Sequence, residues 1–222
     1  MNDVKRAADL DALALSAAQR GALAQALPLW GEALRLAPDD VSVLVHLGHA
    51  LASCGERTKA QELAERAARV APSSSSPWLL LGHLAFEGGD LTTALESYAL
   101  AERAARPDER IDVVVAQARA LRRAGLPAEA ERVLSMAPRD RVDVLLLAGQ
   151  LAADRGDVDD ARASFVKAGE LAPDDPAPYV ALATLLSSLD VDRALARELA
   201  EHALSLASHD AETRALVAAL SL

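Results

Sequence analysis

Apolar and small residues return along this chain with a period of 34: Leu47-Gly48 reappears as Leu81-Gly82, Gly55 as Gly89, Pro38 as Pro72, and Ala26 as Ala60 and again as Ala94. A fixed period of that size marks a stacked-repeat solenoid. Aligned on it, the chain divides into six repeats at 7–40, 41–74, 75–110, 111–141, 142–175 and 176–209, followed by a helical stretch at 210–222. Within a repeat, the pattern predicts two helices of about a dozen residues on either side of a glycine turn. No strand-like alternation of any length appears, and almost nothing is left over for a second domain.

Small residues mark the faces that must approach each other. Gly48, Gly82 and Gly149 lack a Cβ and predict that the second helix of the hairpin lies close, with Ala60 and Ala94 doing the same from the other side. Pro38, Pro72 and Pro173 fall where the second helix should stop, because proline has no N–H and disfavours helix in the residue before it. Asp39, Asp40, Ser73, Ser74, Asp174 and Asp175, just after these prolines, can cap the next helix. Cys54, the single cysteine, closes a first helix and reads as a small buried residue. Two places depart from the period. Gly125 to Gly156 is 31 residues, three short, because Pro138 cuts the second helix of the fourth repeat by about one turn. In the sixth repeat Ser187-Ser188-Leu189-Asp190 replaces the glycine turn, and Ala196, Ala200 and Ala203 fit only with one residue inserted.

The best-matched repeat carries Trp78, Leu81, Gly82, Gly89, Ala94, Tyr98 and Ala101; the second carries Leu44, Leu47, Gly48, Gly55, Ala60 and Pro72, and the fifth Leu145, Gly149, Gly156, Ala161, Phe165 and Pro173. This pattern resembles the tetratricopeptide repeat family. The resemblance implies an all-α, right-handed superhelical solenoid of about six hairpins plus a C-terminal helix, forming one domain over 1–222. It also implies that the first helix of each repeat lines a concave groove through repeat positions 2, 5, 6, 9, 12 and 13. Here those positions hold His46 and His49, then Leu79, Leu80, His83, Phe86 and Glu87, then Asp112, Val115, Arg119, Arg122 and Arg123, then Asp143, Leu146, Leu147, Gln150 and Asp154. Such a mixture suits an extended or helical peptide.

Within the groove set, Phe86 stands apart, since Trp30, Trp78, Tyr98, Phe165 and Tyr179 fall where the family packs its helices. It reads either as a binding anchor or as a ring folded back on the next helix. His46 and His49 share a helix face, and His83 occupies the repeat position of His49, so three imidazoles, with Glu87, have the makings of a zinc site. Polar groove residues explain them equally well, and neither a metal nor a cofactor is expected. Protonation near pH 6 that changes the groove charge is a further reading. Arg119, Arg122 and Arg123 form a basic ridge suited to an acidic segment or a C-terminal carboxylate. Glu87, Arg123 and Asp154 share one repeat position, which predicts a ladder through Arg123 and leaves Arg119 and Arg122 for a ligand. The carboxylate clamp of some family members needs lysine and asparagine at positions 2, 5, 6 and 9, where this chain has Ser42, Val45, His46, His49, Ser76, Leu79, Leu80 and His83; chaperone-tail binding does not follow.

Composition bounds the rest. The chain is 51% hydrophobic and only 3% aromatic, as expected for an Ala- and Leu-rich helical stack. A net charge of −10 argues against nucleic acid. Charged residues interrupt the N-terminus, and the chain opens on Met1, so no secretory signal is expected; nor does any run approach the roughly 20 apolar residues that span a bilayer. A cytoplasmic protein is the expectation. No phosphate loop, Gly-x-Ser-x-Gly elbow, His-Glu-x-x-His or Cys-x-x-Cys is present, and the reading is non-catalytic. The apolar end Ala215-Leu216-Val217-Ala218-Ala219-Leu220-Ser221-Leu222 suggests self-association, a following domain or a frayed cap. The function expected is an adaptor holding a protein or peptide partner in its groove; the alternative is a regulatory or substrate-presenting segment of an enzyme complex.

Overall fold

Each hairpin turns on the same pair of backbone bonds. In the second, the Glu56 N–H reaches back to the Leu51 carbonyl and the Gly55 N–H to that of Ala52, with Gly55 at φ +80°. This is the Schellman ending of a helix, and its left-handed residue favours glycine because no Cβ meets the preceding carbonyl. The same two bonds recur at Gly21, Gly89, Gly125 and Gly156. In the sixth hairpin they form at Asp190, φ +52°, followed by Val191 and by Asp192 at φ +48°. The turn there has one residue more than the others, which is the insertion the sequence predicted.

A computed structural model describes residues 2–208 and 210–220. Among them are thirteen helices, α1 (Asn2–Gln19), α2 (Leu23–Leu36), α3 (Val41–Ser53), α4 (Arg57–Val70), α5 (Ser75–Glu87), α6 (Leu91–Ala104), α7 (Arg110–Arg123), α8 (Pro127–Leu134), α9 (Val142–Asp154), α10 (Val158–Leu171), α11 (Pro176–Ser188), α12 (Arg193–Leu206) and α13 (Ala211–Leu220). They make six hairpins and a terminal helix, an all-α repeat solenoid. The chain forms two compact units, Met1–Ala120 and Leu121–Leu222, whose boundary falls within α7.

Second helices end as the prolines require. Ala37, Ala71 and Ala172, each before a proline, leave the helical region at φ near −134° to −138° and ψ of 72° to 81°. Of the candidate caps, Asp40 accepts from the Ser42 and Val43 N–H groups and Asp175 from that of Ala177. Asp39 instead pairs with Arg66 at 2.9 Å, and Ser74 occupies the cap position without a side-chain bond. Truncation of the fourth repeat is deeper than one turn. Helix α8 has eight residues where α4, α6, α10 and α12 each have fourteen.

In the first unit, Trp30 anchors one buried cluster with Ala26, Ala33 and Val43, Leu44 and Leu80 a second with Ala60 and Ala64, and Tyr98 a third with Ala94, Ala116 and Ala120. Close approach at Gly82 is real, since a Cβ there would run into the ring of Tyr98 on the second helix. A Cβ on Gly48 would stand 2.7 Å from Leu80 of the following hairpin and 3.6 Å from the Ala60 carbonyl oxygen of the second helix, so this glycine serves both neighbours. Cys54 is exposed at the turn after α3, contrary to the expected burial, because the Schellman ending turns the chain out into solvent at that point.

In the second unit, Phe165 faces Gly149 and packs with Leu182, Leu185, Leu186 and Leu220. Leu216 and Val217 join the same cluster, and Arg193 donates to the carbonyls of Ala219 and Leu220. The large apolar residues of α13 therefore turn inward, leaving Ala215, Ala218 and Ala219 outward. Ser221 and Leu222, part of the terminal stretch read from the sequence, lie outside the described residues.

Candidate binding surface on the first helices

Aromatic residues assigned to packing divide into two kinds. Trp30, Tyr98 and Phe165 are buried, whereas Trp78 and Tyr179 are half-buried and donate to the carbonyls of Pro72 and Pro173, six residues before each. Phe86, the candidate anchor, is half-buried and packs on the cluster of Tyr98, Ala116 and Ala120, as Leu79 does. Its ring is thus partly engaged by the neighbouring helix.

Three proposed groove residues are corrected outright. Leu80 is 1% exposed, Val115 5% and Leu147 2%, so they belong to the core. Leu80 packs with Leu44, Ala60 and Ala64, and at positions this buried a polar side chain would lose its hydrogen bonds to water. Leu146 remains half-buried beside the Phe165 cluster.

The histidines do not converge. His46 Nδ1 lies 2.8 Å from the Asp11 carboxylate, which also accepts the Trp30 indole N–H at 2.7 Å. Since a carboxylate only accepts, the proton sits on Nδ1 of His46. His49 and His83 face one another with ring centroids 6.1 Å apart, and His83 meets the edge of Tyr98 at 5.7 Å. Among the described residues, no group of three or more His, Cys, Asp or Glu is placed to hold a metal ion. Burial is the main cause that pushes His49 down, to about 4, with His83 and His46 adding to it and Glu87 opposing. Water at the exposed edge of that ring relieves part of the penalty and leaves the direction intact. His83 is lowered by burial first and by the charge of Arg119 second. Both shifts run against a charge change near pH 6, and His49 stays neutral there.

Arg122, left for a ligand in the ladder reading, meets Asp154. Its guanidinium bonds both carboxylate oxygens, at 2.5 and 3.1 Å, and Gln150 Oε1 at 3.0 Å. Arg119 stands exposed, with no hydrogen bond or salt bridge among the described residues.

The second unit holds an open cavity of about 540 Å³, lined by first-helix residues together with Phe165, Ala207, Asp210 and Thr213. Arg122, Gln150 and Ala153 form one side and Ala177, Val180, Ala181, Thr184 and Ser188 of α11 the other. The sequence reading named none of these α11 residues. Yet each lies 34 residues after a groove position of α9, as Val180 follows Leu146 and Thr184 follows Gln150. The period alone was the signal that identifies them; their polarity was not, since alanine and valine look like core. Small side chains at 153, 177 and 181 are what leave the space.

Two family models, each described as Tetratricopeptide repeat, match residues 17–84 and 115–176, together more than half of the chain. The chain belongs to the tetratricopeptide repeat family. Among curated proteins, none matches it. Solved structures of this repeat fold resemble it along nearly its whole length. The Cut9–Hcn1 hetero-tetramer of the APC/C aligns with a TM-score of 0.82 and 14% identity, over 97% of this chain and 43% of that one, so this chain spans less than half the length of that relative. PilF of Pseudomonas aeruginosa aligns at 0.75 and 17%, over 98% and 99%. YrrB, a tetratricopeptide repeat protein with an unusual peptide-binding site, aligns at 0.55 and 18%, over 87% and 98%. At these identities the likeness concerns the fold. Tetratricopeptide repeats are typically protein–protein interaction scaffolds, and the relatives include a peptide-binding protein. Among the described residues, no helix is long and apolar enough to cross a membrane.

Proposed function

We propose that this chain is a non-catalytic adaptor whose first helices hold a peptide or helical segment of a partner protein. The observation that carries the reading is the cavity of about 540 Å³ in the second unit, whose lining includes groove positions of α9 and α11. Its volume lies in the range of ligand-binding clefts, roughly 300–1,000 Å³. Its walls are mostly methyl and methylene groups, and polar atoms of Arg122, Gln150, Thr184 and Ser188 border them. An apolar side chain of a partner would leave water there, and the bordering groups would take backbone hydrogen bonds from the same segment. Arg122 is already balanced by Asp154, so this part of the wall favours an apolar anchor over a charged one.

The test fills the cavity. Ala181→Trp occupies the space from the helix that lines it, and circular dichroism reports whether the helices persist. Peptides selected on the wild-type chain should lose at least about tenfold in affinity, the scale of one lost apolar anchor. Unchanged affinities with a folded variant would remove the cavity as the working surface.

A further inference from the structure

Ninth positions of the first helices form a polar row in the first unit: His49 on α3, His83 on α5 and Arg119 on α7. Arg119 is the charged member, and no carboxylate among the described residues pairs with it. It is close enough to His83 and to Tyr98 for its charge to act on both. Glu87 is the nearby carboxylate whose charge reaches His49 and Tyr98, and it makes no salt bridge with Arg119. The rings of His49 and His83 stand 6.1 Å apart, His83 meets the edge of Tyr98 at 5.7 Å, and Tyr98 packs with Ala116 and Ala120 of the helix that carries Arg119.

An isolated surface arginine is ordinarily just solvated. This one differs in its surroundings. His83 offers an imidazole N–H, and the buried cluster around Tyr98 lowers the local dielectric, which strengthens a pair formed there. A carboxylate suits both groups, because it accepts bidentately from a guanidinium and retains lone pairs for an imidazole N–H. We propose that Arg119, with His83 beside it, seats one Asp or Glu side chain of the partner segment, an inference that rests on the adaptor reading above. It runs against the bulk electrostatics, since a chain of net charge −10 attracts basic peptides in general. An acidic residue at one place in an otherwise neutral or basic segment is therefore the signature.

The experiment is selection from a random-peptide library displayed through its C-terminus, so that no free α-carboxylate is present. Baits are the full wild-type chain, Arg119→Gln, and Arg57→Gln as a control of equal charge, Arg57 being an exposed residue at the start of α4 in the same unit. Wild type should select peptides sharing one acidic position, and a selected peptide should lose about tenfold in affinity when that residue becomes Gln or Asn. The preference should vanish on Arg119→Gln and persist on Arg57→Gln. Wild-type binders without an acidic position, or an acidic preference that survives Arg119→Gln, overturn the inference while the adaptor reading stands. Failure of the wild-type chain to select any peptide overturns both.

Discussion

One oxygen of Asp11 lies 2.8 Å from Nδ1 of His46, 35 residues further along the chain, and accepts the indole N–H of Trp30 as well. A single carboxylate on α1 thereby joins the first three helices. Trp30 is 2% exposed, so removing its acceptor leaves a buried donor unpaired. Asp11→Ala should cost about 1–3 kcal/mol, and Asp11→Asn, which keeps a carbonyl oxygen, distinctly less. Urea denaturation of the three proteins checks the order.

His49 and His83 predict an acid-sensitive fold. Both are held below the ordinary histidine value of 6.5 in the folded chain, burial being the largest cause. Below about pH 6.5 the unfolded chain binds protons that the folded chain does not, so stability falls as pH drops and is flat above that value. Melting curves between pH 7.5 and 4 should slope less steeply for His83→Gln than for wild type over the acidic part of that range. Parallel curves would show that the imidazole is not desolvated.

Asp190 holds the left-handed position that glycine takes in the other five turns. Relief of that conformation outweighs the added freedom of the unfolded chain, so Asp190→Gly should stabilise by about 0.5–1 kcal/mol. Gly89→Ala, the reverse exchange in an equivalent turn, should destabilise by about 1 kcal/mol or more. Thermal unfolding of both variants tests the pair.

Gly82 and Tyr98 should be coupled. Gly82→Ala drives a methyl group into the buried ring and should cost about 1–3 kcal/mol. In a Tyr98→Leu background the same change should cost less, because the obstructing ring is gone. A double-mutant cycle that closes with no interaction energy would contradict the packing.

Much of this architecture is local, and local features were legible. The 34-residue period, the turns, the proline stops, the shortened fourth repeat and the extra residue in the sixth each depend on residues adjacent in the chain, whose conformational preferences act without knowing the partner helix. The groove positions on α11 were legible too, by the same period that located those on α9.

Tertiary structure decided what each position faces. Consecutive residues on a helix point about 100° apart, so the pairing of Arg122 with Asp154 depends on how the helix is rotated, which repeat position does not specify. Leu80, Val115 and Leu147 share nominal groove positions with His46 and Leu79, yet they are buried because their neighbours close over them. The cavity beside α11 exists because alanines stand opposite one another there. The sequence by itself determined a stack of six helical hairpins and the rows of residues along its first helices; which members of those rows are buried, paired or open was set by the sizes of side chains meeting across adjacent helices, a property of pairs distant in the chain.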